Sequence, residues 1–382
     1  MLYGTPPLDR AELDVITRID DVRAQVTFVL AEPKQWPAVL ARLVAAAPSD
    51  DGVSPPVEGA EPRASSPEGA ASDTRMLDPA ENEQAFAGYT QAMKYLLQLH
   101  DDPHFVYDEG LLRALHFMML SHDVDKRPGR WRSQQVAVKS RETNELRYAP
   151  PPADMVPDLV RELVTWLNEK DDTPVTVRAA MAHLNLVQIH PFADGNGRMA
   201  RALQTLVLVR EGILEPEFCS LEDYIARNRP AYAESLSDVG RITWDPEGSD
   251  ARPFVRFCLT AHLHQAEGVL GHARRTTYIW AEARREVQKR ALPDRVTVAV
   301  ADAALLGETD PASYREWTGG SVRLTRNDLQ RLVDERLLIR ADGHRNAYQA
   351  GPVVQEICKQ AWAAHPARPL LDPFGDRQPS IV

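Results

Sequence analysis

Residues 179–212 read AAMAHLNLVQIHPFADGNGRMARALQTLVLVREG, and their pattern predicts two helices joined by a short loop at the centre of the chain. Pro191 ends a helix directly after His190, because proline lacks the N–H that would continue the helical hydrogen bonds. A second helix is predicted to begin near Asn196 and to stop at Gly212, a residue type common just past helix ends. His190 is therefore expected at one helix terminus, beside a short loop and the start of the next helix.

The start of the second helix is predicted to bind an anion. Gly195 and Gly197 carry no side chains where backbone amides approach a ligand, and unpaired amides at a helix start carry partial positive charge. Arg198 and Arg201 lie three residues apart on one helix face, where two guanidinium groups can hold phosphate oxygens. The pattern predicts a site for a compound with more than one phosphate group.

Two further residues indicate the chemistry of this site. Asp194 supplies a hard oxygen ligand for Mg²⁺ beside the phosphates. His190 can accept a proton near neutral pH. In contrast, His183 lies one helical turn from Val187 and Ala179, and we expect it to be a core histidine rather than a catalyst. The residues therefore predict phosphoryl or nucleotidyl transfer.

The stretch HPFADGNGRMAR, residues 190–201, matches the HPFx[D/E]GNGRxxR signature of the Fic family at every defined position. More loosely, KRPGRWR at 126–132 is similar to the family's PGxFR stretch, and YIARNRPAY at 224–232 is similar to the helix that closes its nucleotide pocket. The resemblance implies transfer of AMP from ATP to a side-chain hydroxyl of a target protein, or of the protein itself. It also implies an extended target segment, clamped by a hairpin at 132–148.

Residue roles follow from the same resemblance. His190 would take the hydroxyl proton, and Asp194 would hold Mg²⁺ between the α- and β-phosphates. The amides around Gly195 and Gly197 and the Asn196 side chain would bind the phosphate charge, and Arg198 and Arg201 would bind the β- and γ-phosphates. Tyr224 and Tyr232 would line the adenine, and an inward-facing Phe192 would fix the loop.

A segment before the core resembles the family's inhibitory motif, (S/T)xxxE(G/N). In RASSPEGA, residues 63–70, Glu68 and Gly69 fit this motif, and the Glu68 carboxylate would occupy the position that the γ-phosphate needs. Ala64 replaces the serine or threonine, and Pro67 stands where a large aliphatic residue is usual, which weakens an inhibitory helix. A plain linker rich in Ser, Pro and Gly is the alternative.

The C-terminal part predicts a different module. Residues 324–351 show an amphipathic helix, a strand, a D-G turn and a return strand, which resembles a winged helix-turn-helix. Between residues 302 and 345 seven arginines face eight acidic residues, so the module has no basic stripe in sequence. We expect docking or dimerisation rather than DNA binding, although DNA is kept as a less favoured partner.

The predicted fold class is mainly α, with a Fic-like helical core carrying a small β-hairpin and a C-terminal winged helix-turn-helix module. One expected core stripe runs through Phe86, Tyr89 and Leu96. The expected divisions are an N-terminal helical region 1–46, a linker or inhibitory segment 47–74, a catalytic core 75–245, connecting helices 246–292, the winged-helix module 293–352 and a tail 353–382.

The composition limits which partners and which cellular location we expect for the protein. The 382 residues carry a net charge of −11, which disfavours bulk attraction to nucleic acid or anionic lipid. The three cysteines lack metal-ligand spacing, and no targeting or membrane segment is visible, so we expect a cytoplasmic protein. Two alternatives stay open: transfer of phosphate or another nucleotidyl group by the same residues, and a DNA-binding regulator whose core only senses nucleotide. A homodimer also stays open.

Overall fold

The structure, a computed structural model, is mainly helical, as the sequence predicts. It describes residues 1–31, 79–139, 146–214, 216–240, 242–341, 346–367 and 371–375. The helical pattern expected after residue 31 and the segment 47–74 lie outside the described residues. The described chain divides into two compact units, one from residues 1–19, 79–265 and 371–375 and the other from residues 20–31 and 266–367.

The helices and strands up to residue 289 include every element of the predicted core. The helices are α1 Arg10–Ala31, α2 Pro79–Gln98, α3 Glu109–Leu120, α4 Val156–Asn168, α5 Val175–Ile189, α6 Asn196–Arg210, α7 Pro216–Cys219, α8 Glu222–Arg227, α9 Arg229–Gly240 and α10 Arg252–Lys289. The strands are β1 Val138–Lys139 and β2 Leu146–Tyr148, with short 3-10 turns at Val124–Lys126 and Ala153–Met155.

Helices α5 and α6 form the centre of the first unit. Nearly all of their side chains are buried, which is the pattern of helices that are covered on all sides. Met181 and Leu184 of α5 pack with Phe254 and Leu259 of α10 in one hydrophobic cluster. Because both central helices are fixed by the core, the loop between them has defined ends.

Helices α2 and α3 pack closely, but α2 turns a different face inward from the one expected. Tyr89 and Leu96 are buried as predicted, whereas Phe86 is 45% exposed and the small residues Ala85 and Ala92 are buried on the inner face. The reason is the close approach of the helices: a Cβ at Gly88 would lie 2.6 Å from the Met118 carbonyl oxygen. Phe86 lies two residues from Gly88, about 200° around the helix, and therefore faces outward.

The predicted hairpin and the helix after it are confirmed. Strands β1 and β2 pair antiparallel, with Val138 opposite Tyr148, and the turn between them lies outside the described residues. In α4 the expected apolar face is buried, and Pro157 stands in the first turn. The buried residues of that face are Leu159, Val160, Leu163, Val164 and Leu167.

The second unit contains the elements from residue 294 onward. They are a 3-10 turn Asp294–Val296, α11 Thr297–Leu305, β3 Glu308–Thr309, α12 Pro311–Thr318, α13 Val322–Asp334, β4 Leu338–Arg340, β5 Tyr348–Ala350 and α14 Pro352–Ala364. The three strands form one antiparallel sheet in the order β3-β5-β4. This order of helices and strands is consistent with the winged helix, which stays a prediction.

Two further features concern the ends and the surface of the described chain. The predicted tail begins with helix α14, which buries Val354, Ile357 and Ala361. None of the helices in the described ranges combines the length and the apolar character needed to cross a membrane.

Candidate functional site

His190 stands at the end of α5, as the sequence predicts. Its backbone has the left-handed values φ +52° and ψ +56°, and its N–H donates to the Leu186 carbonyl to close the helix. Such values are uncommon for a residue with a side chain and mark a position that its surroundings enforce. The ring Nδ1 lies 3.1 Å from the Val187 carbonyl oxygen. Because a carbonyl only accepts, Nδ1 carries the proton and Nε2 is the atom that can act as a base.

Arg132 holds this terminus from the side of the hairpin. Its Nε donates to the His190 carbonyl at 2.8 Å, and its backbone N–H donates to the Pro191 carbonyl at 2.9 Å. A third bond runs from Nη2 to the Pro151 carbonyl at 2.5 Å. The sequence pointed to the stretch 126–132 but not to this role, which only long-range contacts reveal.

The loop after His190 is held by Phe192 and Asn196. Phe192 is fully buried, as expected, and stacks on His116 with ring centres 3.7 Å apart. The Asn196 Oδ1 accepts from the Phe192 N–H at 2.9 Å, while Nδ2 donates to the Phe192 carbonyl at 3.0 Å. The side chain of Asn196, expected to cradle charge, is thus engaged with the loop backbone. Its backbone N–H is the group that it offers to an anion.

His116 is a part of the site that the sequence did not single out. Gly129 N–H donates to its Nδ1 at 2.8 Å, so Nε2 carries the proton and donates to the Asp194 carbonyl at 3.0 Å. Burial lowers the pKa of His116 to about 4, so the ring is neutral near pH 7. We conclude that His116 is a structural support beneath the loop.

Gly195 begins α6 in a conformation that other residues rarely adopt. Its φ is +77°, and a Cβ there would lie 2.7 Å from Leu120 Cδ1. No side chain from the described residues caps this terminus. The N–H groups of Asn196, Gly197 and Arg198 in the first turn therefore have no intrahelical acceptor and can bind an anion.

Arg198 is the buried cation of this anion site. Its side chain is only 1% exposed, and its Nε and Nη2 have no hydrogen-bond partner among the described residues. Nη2 lies near the Cβ position of Gly195, so the guanidinium group is beside the open helix start. A buried guanidinium with unsatisfied N–H groups costs free energy until an anion accepts from it.

Arg201 is buried as well, but it already has a carboxylate partner. Its Nε lies 2.6 Å from Glu222 Oε2, a close ion pair without the alignment of a linear hydrogen bond. The Tyr89 hydroxyl donates to the other Glu222 oxygen. Burial alone would lower the pKa of Arg201. The nearby charge of Glu222 acts in the opposite direction, and the pKa is raised overall, so the guanidinium stays protonated. Neither Tyr89 nor Glu222 was visible as a site residue in the sequence.

Asp194 is half-buried and lies against Lys126. The Lys126 Nζ is 2.9 Å from Oδ2, and the Gly195 N–H donates to Oδ1 at 2.7 Å. Burial acts to raise the pKa of this carboxyl, but Lys126, the Gly195 N–H and Arg198 together lower it below its usual range. An ionised carboxylate beside an anion site fits Mg²⁺, which usually takes one or two carboxylates together with substrate phosphates. Among the described residues no cluster of three or more metal-ligating side chains occurs.

The two tyrosines expected at the adenine lie in different surroundings. Tyr232 is half-buried, and its hydroxyl is 2.9 Å from Nε2 of His183. Tyr224 is 7% exposed within the core, with its hydroxyl 3.2 Å from Nδ1 of His264. A direct adenine contact stays a prediction for both. His183 is fully buried and hydrogen-bonded to Gln204, which confirms that it is a core histidine.

A match to a known family covers most of the residues of this geometry, although Tyr89, Glu222, Tyr224 and Tyr232 lie outside it. The model of the Fic/DOC family matches residues 106–208. This part of the chain is a Fic-family domain. Its boundaries enclose α3, the hairpin, α5 and all but the last two residues of α6.

Curated relatives of the Fic domain are named as protein adenylyltransferases. The chain is 39% identical to a probable protein adenylyltransferase of Aquifex aeolicus over 97 residues, which is 25% of this chain and 30% of that protein. It is 35% identical to protein adenylyltransferase fic-1 of Caenorhabditis elegans over 147 residues, 37% of this chain and 25% of that protein. A relative from Nematostella vectensis is 30% identical over 193 residues, 48% of this chain and 40% of that protein. The chain thus spans well under half the length of these relatives.

A solved structure is similar along most of the chain. It is a Fic family protein from Desulfovibrio desulfuricans, with a TM-score of 0.49 and 20% identity, and the match covers 91% of this chain and 98% of that one.

The inhibitory motif expected at Glu68, with Ala64 and Pro67, lies outside the described residues. Its role stays a prediction.

Proposed function

We propose that the protein transfers AMP from ATP to a side-chain hydroxyl of a target protein. The observation that carries the proposal is the buried Arg198 guanidinium, which lacks acceptors beside an uncapped helix start. One loop away stands His190, whose Nε2 can accept a proton. An anion-binding helix start next to a positioned base is the arrangement that nucleotidyl transfer needs. The names of the relatives support the same activity.

The chain's own residues account for the transfer step. The target hydroxyl oxygen forms a bond to the α-phosphorus of ATP, the bond from that phosphorus to the bridging oxygen breaks, and pyrophosphate leaves. Nε2 of His190 takes the hydroxyl proton. The N–H groups at the start of α6 and the Arg198 guanidinium bind the phosphate oxygens, with Arg201 on the β- and γ-phosphate side.

Asp194 is the residue that would hold Mg²⁺ against the nucleotide phosphates. The fit rests on its ionised carboxylate, and Lys126 would have to release one of the two oxygens. Bound there, the cation would neutralise charge on the phosphates.

The hairpin supports a target that binds in extended form. Strand β1 pairs with β2, and no other strand of the described residues pairs with β1. Its outer edge can therefore accept main-chain hydrogen bonds from an added strand, which gives affinity with little demand on sequence. Arg132, at the start of the hairpin segment, donates to the His190 carbonyl and so fixes the distance between the bound target and the catalytic histidine.

We propose the cytoplasm as the location, since ATP is the substrate and the three cysteines form no disulfide. A homodimer and modification of the protein itself are also proposed. Phosphate transfer by the same residues is the alternative chemistry, and the mass of the product distinguishes it from AMP transfer.

The test is the intact mass of the purified protein, and of candidate targets, after incubation with ATP and Mg²⁺. We expect a gain of about 329 Da for AMP, whereas phosphate would add about 80 Da. His190→Ala should slow this gain by roughly 10²–10⁴-fold with ATP affinity nearly unchanged, because a base contributes to rate rather than to ground-state binding. Transfer at the wild-type rate in His190→Ala would overturn the mechanism. His104→Ala, at an exposed histidine of the same compact unit, is the control.

A further inference from the structure

The second unit separates the charges that its sequence mixes. Among the acidic residues, Asp328 is buried and receives two hydrogen bonds from Arg295, at 2.8 and 2.9 Å. Asp310 caps the first turn of α12, and Asp302 is buried. These three carboxylates belong to the interior or to a helix end, so they do not oppose the exposed arginines of the unit.

The outer face of α13 is basic. Its exposed polar residues include three arginines, and no ion pair involves any of the three among the described residues. The one acidic residue on this face is Asp334 at the C-terminal end, which accepts from Gln330 at 2.9 Å. We call this surface the α13 face; it consists of Arg323, Arg326, Asn327, Gln330 and Arg331.

The α13 face is presented by a rigid helix pair. Helices α12 and α13 are joined by only three residues, 319–321, and Gly319 has the left-handed φ of +63°. On the inner side of α13, Asp328 also accepts from the Tyr314 hydroxyl of α12 at 2.9 Å. Together with the buried Leu329 and Leu332, this contact fixes which side of α13 faces outward.

We propose that the α13 face binds duplex DNA in the major groove. A helix joined by a short turn to a preceding helix is the arrangement that fits this groove, with the residues near its N-terminus on the bases. The residue types agree with that use, since Arg reads guanine, and Asn and Gln read adenine. Val322, 67% exposed at the first position of α13, can contact a thymine methyl group.

Duplex DNA fits better than an acidic protein segment because the basic surface continues onto the sheet. Arg340 of β4 is exposed and donates to Gln330 at 3.0 Å, so β4 extends the positive edge beside α13. A line of cations along a helix and the adjoining strand matches a phosphate backbone. Uncharged amides at the centre would add little to binding of a simple polyanion, but they provide hydrogen bonds to base edges.

The test uses the full-length protein and a fluorescein-labelled random duplex of about 24 base pairs, with anisotropy as the readout. We expect a Kd on the order of 1 µM at 50 mM salt. If three phosphates are neutralised, affinity should fall roughly 40-fold between 50 and 200 mM salt. The triple variant Arg323→Ala/Arg326→Ala/Arg331→Ala should lose at least about tenfold in affinity and most of the salt dependence.

The matched control removes the same charge from another helix. Arg284→Ala/Arg285→Ala/Lys289→Ala on α10 deletes three cations that pair with acidic neighbours, and we expect its affinity to stay within about threefold of wild type. Asn327→Asp, which keeps every arginine, should also weaken binding.

Three results would overturn the proposal: no binding at 50 mM salt, equal losses in the two triple variants, or displacement of the duplex by a polyglutamate peptide at lower concentration than by unlabelled duplex. None of these outcomes depends on AMP transfer.

Discussion

At the scale of single residues, the ion pair between Arg201 and Glu222 affects how the site receives a nucleotide. The Nε of Arg201 is occupied by a carboxylate that Tyr89 also holds. A polyphosphate must therefore either displace Glu222 or bind beside its negative charge. Arg198 forms no hydrogen bond or ion pair of this kind among the described residues, and the charge of Asp194 acts on it only from a longer distance, so the two arginines of one helix face differ in their readiness to bind phosphate.

We predict that Glu222→Gln raises affinity for ATP by roughly tenfold, because a charge-assisted contact contributes about 1.5–3 kcal/mol and the lost counter-charge leaves Arg201 to the phosphates. Affinity for AMP should change little, since AMP lacks the terminal phosphates. Arg201→Ala should have the opposite effect and weaken ATP more than AMP. Calorimetry of both nucleotides checks this, with Asp223→Asn, the neighbouring carboxylate, as the control.

The neutral His116 gives the domain a predictable dependence on pH. In the folded protein its pKa is about 4, below the value of 6.5 that it regains on unfolding. Between these values the unfolded state binds more protons than the folded state. The stability that the neutral His116 contributes is therefore fully present above pH 6.5 and is lost as the pH falls towards 4. The shift corresponds to roughly 3 kcal/mol at most.

Urea unfolding at pH 7, 5.5 and 4.5 should show this loss. His116→Asn should be less stable at pH 7 and should lose less stability on acidification. His104→Asn, at an exposed position, should keep the wild-type slope. Parallel pH profiles for His116→Asn and wild type would contradict the assignment.

At the scale of the elements, the loop between α5 and α6 is fixed at both ends by unusual backbone. His190 closes α5 and Gly195 opens α6, both with positive φ. Glycine is favoured at the second position because φ is +77° there and an added Cβ would lie 2.7 Å from Leu120 Cδ1, so that something would have to shift. The geometry of the anion site therefore depends on one missing side chain.

We predict that Gly195→Ala destabilises the protein by about 2–3 kcal/mol, combining the backbone strain with the contact to Leu120, and that ATP binding falls with it. The matched control is Gly212→Ala after α6. There φ is +82°, but nothing lies within 4 Å of the added Cβ, so only the strain of about 1 kcal/mol remains. Equal unfolding free energies for the two variants would contradict the steric argument.

At the scale of the whole molecule, the described chain forms two compact units with separate hydrophobic cores. The candidate nucleotide site lies in the first, and the Asp328 cluster lies in the second. A ligand that binds one folded unit stabilises that unit by mass action.

Calorimetry should therefore resolve two transitions with different responses. ATP at 100 times its Kd should stabilise one transition by about 2.7 kcal/mol. Asp328→Ala should lower the free energy of unfolding of the other unit by about 2–4 kcal/mol, because it leaves the Tyr314 hydroxyl and Arg295 without their shared acceptor. A single transition that responds to both changes would contradict this division.

The local structure of the site could be predicted from the sequence alone. Pro191 and the glycines at 195 and 197 specify where helices end and begin, because backbone restriction acts within a few residues. The apolar period of α4 likewise predicted its buried face. These are local effects, and the structure contains them where the sequence predicts them.

The groups that complete the site come from distant parts of the chain and are brought together by tertiary packing. His116 lies 78 residues from Asp194, and Tyr89 lies 133 residues from Glu222, so no local pattern could join them. The same reason explains the charges of the second unit: a count along the chain cannot tell a buried, paired Asp328 from an exposed Arg326. Packing selects which charges reach the surface, because burying an unpaired charge costs more than leaving it in water.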